Sequence, residues 1–188
     1  MPVPALRMDS DASNDPVVAL IAQGAHRDAV AACARSHGPV LGRLCMAMLG
    51  SQADADEAVQ ETLLAAHKAM AGYRGEGTVK AWLCGIARRV CARQLEGRRR
   101  QERPLEVVPA DGADPHGAFA TRQRARVVRA AMEQLKPSER EALLLRYVAD
   151  LSHREIAEAC EVDEATARKR VSRALIRLRS VLGPEEVE

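Results

Sequence analysis

The sequence predicts an all-α protein made of two small helical domains joined by a flexible linker. Apolar residues recur at spacings of three and four, whereas Val, Ile and Thr never alternate over a useful length. Hydrophobic residues make up 47% of the 188 residues, yet there is one Trp, one Phe and two Tyr, so the cores must come from Ala, Leu, Val and Met. After residue 100 a stretch rich in Pro, Gly and Asp interrupts the periodicity, as a linker would.

These changes divide the chain into five segments. In order they are a flexible tail, a helical bundle, a linker, a second helical domain and a short tail, at residues 1–14, 15–100, 101–120, 121–183 and 184–188. The 20-residue linker can stretch to roughly 70 Å, close to the length of ~20 base pairs of DNA. The two domains can therefore sit on separate stretches of one DNA molecule.

The first domain is predicted to be one bundle. Three short helices, broken near Gly24 and near Gly38-Pro39, precede a longer helix from about residue 53 to 71. After the loop GYRGEG, a second long helix begins at about Thr78 and runs into RRVCARQLEGRRR.

The second domain is predicted to contain a helix-turn-helix. Pro137 suits the first turn of a helix whose residues are expected to lie mostly in the core, namely Leu143, Leu144, Leu145, Tyr147 and Val148. Farther on, Ser152 and Glu155 form a capping box, and Asp163 caps the next helix after a short turn. That last helix carries six basic residues and one acidic residue, Glu164. In a helix-turn-helix this charge favours a helix that enters the major groove of DNA over one that is merely exposed to solvent.

Charge is segregated along the chain although the net charge is only +2. Residues 88–103 hold seven Arg against two Glu, so they form a second basic segment. Asp54, Asp56, Glu57 and Glu61 form an acidic patch without any base between them. Because carboxylates repel phosphates, the patch indicates a protein partner with a basic surface, and the basic segments indicate nucleic acid.

Several classes of protein are disfavoured. The amino terminus has no apolar run typical of a signal peptide, and no uncharged run approaches the length of a membrane span, so we expect a cytoplasmic protein without membrane insertion. Five irregularly spaced cysteines disfavour a disulfide framework or zinc site, and we expect buried, inert thiols. We expect neither a cofactor nor enzymatic activity, since no catalytic constellation is present.

Three segments, GSQADADEAVQETLLAA, YRGEGTVKAWLCGIARR and LKPSEREALLLRYVADLSHREIAEACEVDEATARKRVSRALIRL, resemble in this order a sigma-70 family factor of the extracytoplasmic-function group. The resemblance covers about residues 15–182. It implies a bacterial transcription initiation factor whose first domain (region 2) binds the clamp helices of the largest polymerase subunit and opens the minus-10 element. Its last domain (region 4) would bind the minus-35 element. An anti-sigma factor, common in the group, is an expected further partner.

The resemblance also implies three sets of contact residues. The polymerase-binding set is Asp54, Asp56, Glu57, Gln60 and Glu61. The minus-10 set is Tyr73, Arg74, Lys80, Trp82, Arg88, Arg89 and Arg93, followed by Gln94. The minus-35 set is Thr166, Arg168, Lys169, Arg170 and Arg173. For Trp82, stacking on a base and packing in the core both stay open.

The chain departs from the family pattern at four positions. Relatives commonly show Asn in place of Arg89, Asp in place of Arg93, an aromatic residue in place of His153 and Gly in place of Glu161. The first two leave the preferred minus-10 bases undetermined. A non-glycine residue in the left-handed conformation of the turn would cost ~1 kcal/mol.

Two other functions remain open on sequence grounds. A stand-alone repressor or activator would use the same helix-turn-helix as a dimer on symmetric DNA sites, but it would leave the acidic patch unexplained. A thiol or metal sensor would use pairs such as Cys33 and His37, which are four residues apart.

Overall fold

A computed structural model describes residues 15–100 and 127–182 of the chain, and every regular element in these ranges is helical. The first part consists of α1 (Pro16–Ala22), α2 (His26–Leu49), α3 (Gln52–Ala69), a 3₁₀ turn (Met70–Gly72) and α4 (Val79–Arg100). The second part consists of α5 (127–133), α6 (Pro137–Tyr147), α7 (His153–Cys160) and α8 (Glu164–Leu182). The all-α prediction is confirmed; the predicted tails, linker and start of the second domain lie outside these ranges.

The amino-terminal helices differ from the prediction at one of the two expected breaks. Gly24 does separate α1 from α2 and adopts the left-handed conformation, with φ 72°. The break predicted near Gly38-Pro39 is wrong, because α2 continues through Pro39. Buried residues from both halves of α2, such as Ala32 and Leu44, pack into one core, and this packing outweighs the hydrogen bond that proline cannot donate.

The core of the first domain lies between α2, α3 and α4 and consists of aliphatic side chains, alanines and thiols. Leu41, Leu44 and Leu83 are fully buried there. Thr62 is buried as well, and its hydroxyl donates to the carbonyl of Ala58 at 2.6 Å, so it leaves no unsatisfied donor.

The helix-turn-helix forms as the caps predict. Ser152 and Glu155 make a reciprocal capping box at the start of α7, and Asp163 accepts the backbone N–H of Thr166 at 2.7 Å before α8. Between them Glu161 is left-handed, with φ 56°. Tyr147 corrects the expectation for α6, since it is 62% exposed whereas Leu143, Leu144 and Leu145 are buried.

The two domains pack against each other where α4 crosses α7. A Cβ on Gly85 would lie 3.1 Å from the carbonyl oxygen of Ala159, so glycine permits the two backbones to approach this closely. Beside this crossing, the Thr78 hydroxyl donates to Glu155 at 2.7 Å and accepts from the N–H of Ala81 at 3.1 Å. The carboxylate of Glu155 therefore links the amino-terminal ends of α4 and α7.

We predict that Gly85→Val separates the two domains without unfolding either one. A branched side chain at this position cannot fit against the backbone of Ala159. Small-angle X-ray scattering should show a larger radius of gyration. Gly97→Val places the same residue on α4 where a Cβ meets nothing within 4 Å, so this control should keep the compact radius. Equal radii for both variants would contradict the close contact.

We also predict an acid-sensitive contribution from Glu155. Burial raises the pKa of its carboxyl, but hydrogen bonds from Thr78 and Ser152 outweigh burial and hold the pKa below its usual value. The stabilisation is thus complete above about pH 4.3 and is lost as the pH falls through the lowered pKa of the folded state.

The measurement is the free energy of unfolding of wild type and Glu155→Gln between about pH 7 and pH 3. The gap between the two proteins should shrink as the pH falls. The exposed residue Glu133 provides the control, because Glu133→Gln should run parallel to wild type. A constant gap for Glu155→Gln would refute the linkage.

Candidate nucleic-acid and protein interfaces

The last helix, α8, presents a basic outer face because its apolar residues are turned inward. Ala167, Val171, Ala174 and Leu178 are buried. The exposed members of the predicted minus-35 set are Arg168, Lys169 and Arg173. The face is thus available for phosphates and base edges in a groove of DNA.

The other two members of the minus-35 set, Thr166 and Arg170, are less exposed. The Thr166 hydroxyl donates to Asp163 at 2.7 Å, and this bond together with the capping bond from the Thr166 N–H lowers the pKa of Asp163. Arg170 is half-buried, on the side of α8 that faces the domain. Arg168 and Arg170 thus point to different sides of α8, as their 200° separation predicts.

Tyr73 and Trp82, the aromatic members of the minus-10 set, pack against each other. Their ring centroids lie 4.9 Å apart at 52°, and the Tyr73 hydroxyl donates to the carbonyl of Gly77 at 3.4 Å. Both side chains are half-buried at the edge of the core. Trp82 therefore packs on the core without being enclosed by it.

Three cations of the minus-10 set lie against the second domain. Lys80 donates to the carbonyl of Asp150 at 3.0 Å. Arg88 pairs with Glu141 at 3.1 Å, and Arg89 pairs with Glu161 at 2.6 Å. Arg74, in contrast, is 81% exposed. Most of the charged residues of the minus-10 set therefore lie at the interface between the two domains, where they contact groups of the second domain.

The acidic patch on α3 divides into two parts. Asp54 and Glu61 form ion pairs with Arg98 and Arg93 of α4. The remaining members of the predicted polymerase-binding set, Asp56, Glu57 and Gln60, are exposed to solvent. These three side chains are the part of the polymerase-binding set that a basic partner can reach directly.

An apolar groove beside this patch was not predicted. Its volume is about 500 Å³, and it lies between α2 and α3, lined by Arg27, Val30, Gln60, Leu63, Leu64 and His67. Leu64 is 64% exposed although it is a large aliphatic residue. The sequence did contain a signal for this groove, since Leu64 falls outside the buried stripe of α3. An exposed leucine next to a binding face adds apolar area to that face.

All five cysteines are free and buried. Burial raises the pKa of Cys33 to about 11 and that of Cys84 to about 12, so both stay protonated at neutral pH. His37 contacts Asp15 at 3.3 Å, and the described residues contain no cluster of three groups able to hold a metal ion.

Within the same ranges, no helix is both long and apolar enough to cross a membrane.

Comparison with known families matches both domains. Residues 33–101 match the family described as sigma-70 region 2, and residues 125–178 match sigma-70 region 4. The fold is similar to that of CnrH solved in complex with the cytosolic domain of CnrY, with a TM-score of 0.69, 23% identity and coverage of 92% of this chain and 97% of that one. It is also similar to the sigma factor RpoE in complex with the anti-sigma factor NepR from Bartonella quintana, with a TM-score of 0.60, 24% identity and coverage of 78% and 92%.

Curated relatives are similar over most of this chain. SigG of Mycobacterium tuberculosis (strain H37Rv) is 34% identical over 163 residues, which cover 73% of this chain but only 44% of SigG. SigC of M. tuberculosis (strain CDC 1551) is 30% identical over 148 residues, covering 76% of this chain and 77% of SigC. Both are named as ECF RNA polymerase sigma factors. The chain therefore belongs to the sigma-70 family, in its extracytoplasmic-function group.

Proposed function

We propose that the protein is a cytoplasmic initiation factor that recruits core RNA polymerase to promoters and promotes strand opening, and that it is not an enzyme. Its domains would be residues 15–100 and 121–183. The observation that carries the proposal is the presence of two unlike surfaces in one chain. One is the basic face of a capped helix-turn-helix, and the other is the acidic face of α3 with its apolar groove.

The acidic face supports docking to the clamp helices of the largest polymerase subunit. Asp56 and Glu57 offer charge to a basic partner, and Leu64 offers apolar area in the adjoining groove. An interface of this kind combines a buried apolar anchor with a polar rim, which is the usual anatomy of a specific protein contact.

The basic face of α8 supports minus-35 recognition. Arg168 lies near the amino-terminal end of α8, the part of a recognition helix that reaches base edges. Its ion pair with Glu164 at 2.8 Å is exposed, so DNA can replace it at low cost. Tyr73, Trp82 and the cations of α4 would serve the minus-10 element through stacking and phosphate contacts.

We also propose control by an anti-sigma factor. The structure of CnrH was solved in complex with the cytosolic domain of CnrY, and that of RpoE in complex with the anti-sigma factor NepR. In this chain Arg88 and Arg89 already lie against the second domain. A partner that binds both domains in this arrangement would keep those arginines from DNA.

The proposed function predicts promoter-specific transcription in a purified system. Core RNA polymerase with this chain should initiate on promoter fragments from the source genome, whereas core polymerase alone should not. Glu57→Lys should weaken core binding, because it reverses a charge on the exposed part of the patch. Glu133→Lys, an equal change on α5, is the control. Dimeric binding to inverted-repeat DNA without any initiation would instead support a stand-alone repressor.

Arg168→Ala should weaken promoter binding by the holoenzyme. Loss of a base contact costs about 1–3 kcal/mol, which is roughly 5- to 150-fold in the dissociation constant, and it relaxes specificity at one position of the minus-35 element. Fluorescence anisotropy over a series of salt concentrations measures both effects. Arg35→Ala removes an exposed arginine of α2 and should leave affinity unchanged. If Arg168→Ala flattens only the salt dependence, Arg168 contacts phosphate instead.

A further inference from the structure

Arg98, near the end of α4, contacts two other helices at once. Its Nη1 donates to the carbonyl of Leu49, the last residue of α2, at 3.4 Å. Its Nη2 forms an ion pair with Asp54, which lies in the first turn of α3. Only Gly50 and Ser51 separate α2 from α3. The guanidinium of Arg98 therefore lies at the turn where the chain leaves α2 and enters α3.

The electrostatics of this turn favour the contact on both sides. The carboxyl-terminal end of a helix carries partial negative charge, and the amino-terminal end carries partial positive charge. The cation of Arg98 thus lies at the negative end of α2, and the carboxylate of Asp54 lies at the positive end of α3. Their side chains are only 22% and 32% exposed, so water screens this pair less than the outer pair of Arg93 with Glu61, at 62% and 41%.

Asp54 does not share a side of α3 with the exposed part of the polymerase-binding set. Successive residues of a helix turn by about 100°, so Asp56 points about 200° away from Asp54, whereas Glu61 points within about 20° of it. Asp54 and Glu61 accordingly face α4, whereas Asp56, Glu57 and Gln60 are exposed to solvent. A partner that docks on the exposed side finds the carboxylate of Asp54 turned toward α4 and already paired with an arginine.

We propose that Arg98 is a positioning residue for polymerase docking, and that Asp54 acts through Arg98 instead of contacting polymerase. The inference rests on the proposed function and deepens it, and it gives Asp54 a role other than the direct contact that the family resemblance implies. By joining the end of α2 to the start of α3, Arg98 fixes the direction in which α3 leaves the turn. That direction places Asp56 and Glu57 for a basic partner before binding, which lowers the cost of ordering them on association.

The test titrates core RNA polymerase into the full chain labelled with fluorescein at its amino terminus. Arg98→Gln and Asp54→Asn should each weaken core binding by about 2- to 5-fold, because each breaks the same partly exposed ion pair. Arg35→Gln removes an exposed arginine of α2 and should leave the dissociation constant unchanged. The affinities are compared at a temperature at which circular dichroism shows each variant to be folded. Asp54→Asn keeps the bond from Arg98 to Leu49, so it tests the pair even if Arg98→Gln fails to fold.

A double-mutant cycle separates positioning from direct contact. If Asp54 acts through Arg98, the variant that combines Arg98→Gln with Asp54→Asn should bind core polymerase as the single variants do. Glu57→Gln, on the exposed side, should add its full loss to that of Arg98→Gln. The inference is overturned if the losses of Arg98→Gln and Asp54→Asn add, or if Asp54→Asn binds as wild type does. A wild-type chain that never binds core polymerase would refute the proposed function itself.

Discussion

The close approach of α4 and α7 is the contact on which the arrangement of the two domains depends. Gly85 lets the backbone of Ala159 approach so closely that a Cβ on residue 85 would be crowded. Only because the backbones meet there do the longer polar side chains on either side come within hydrogen-bonding range. Charged and polar contacts flank the crossing, namely Lys80 with the carbonyl of Asp150 and Arg88 with Glu141.

Inside the first domain, ion pairs join α3 to α4. The two helices run antiparallel, so the carboxylates of Asp54 and Glu61 meet Arg98 and Arg93. These ion pairs partly neutralise the charges of both helices. The acidic surface of α3 and the basic surface of α4 can therefore lie side by side without strong repulsion among the like charges of either surface. Among the described side chains, Asp56 and Glu57 form no ion pair of this kind, and both are exposed where a protein partner can approach.

Local signals in the sequence were sufficient for most of the fold. Caps at Ser152 and Asp163 fix where α7 and α8 begin, since each satisfies backbone donors that nothing else nearby could satisfy. Pro39 misled the prediction, because tertiary packing kept α2 intact against a local breaking signal. The partners of Arg88, Arg89 and Arg93 could not be read from the sequence, because each depends on a contact between residues far apart in the chain.

The packing of Trp82 on Tyr73 has a practical consequence. Trp82 is the one tryptophan of the chain, it sits 4.9 Å from Tyr73, and its neighbour Ala81 lies one turn from Thr78 at the domain crossing. Its emission thus comes from a single place, beside Tyr73 and the glycine-rich loop that precedes α4. Any ligand that stacks on these rings or changes their packing should alter the tryptophan fluorescence, so such binding can be followed with protein that carries no added label.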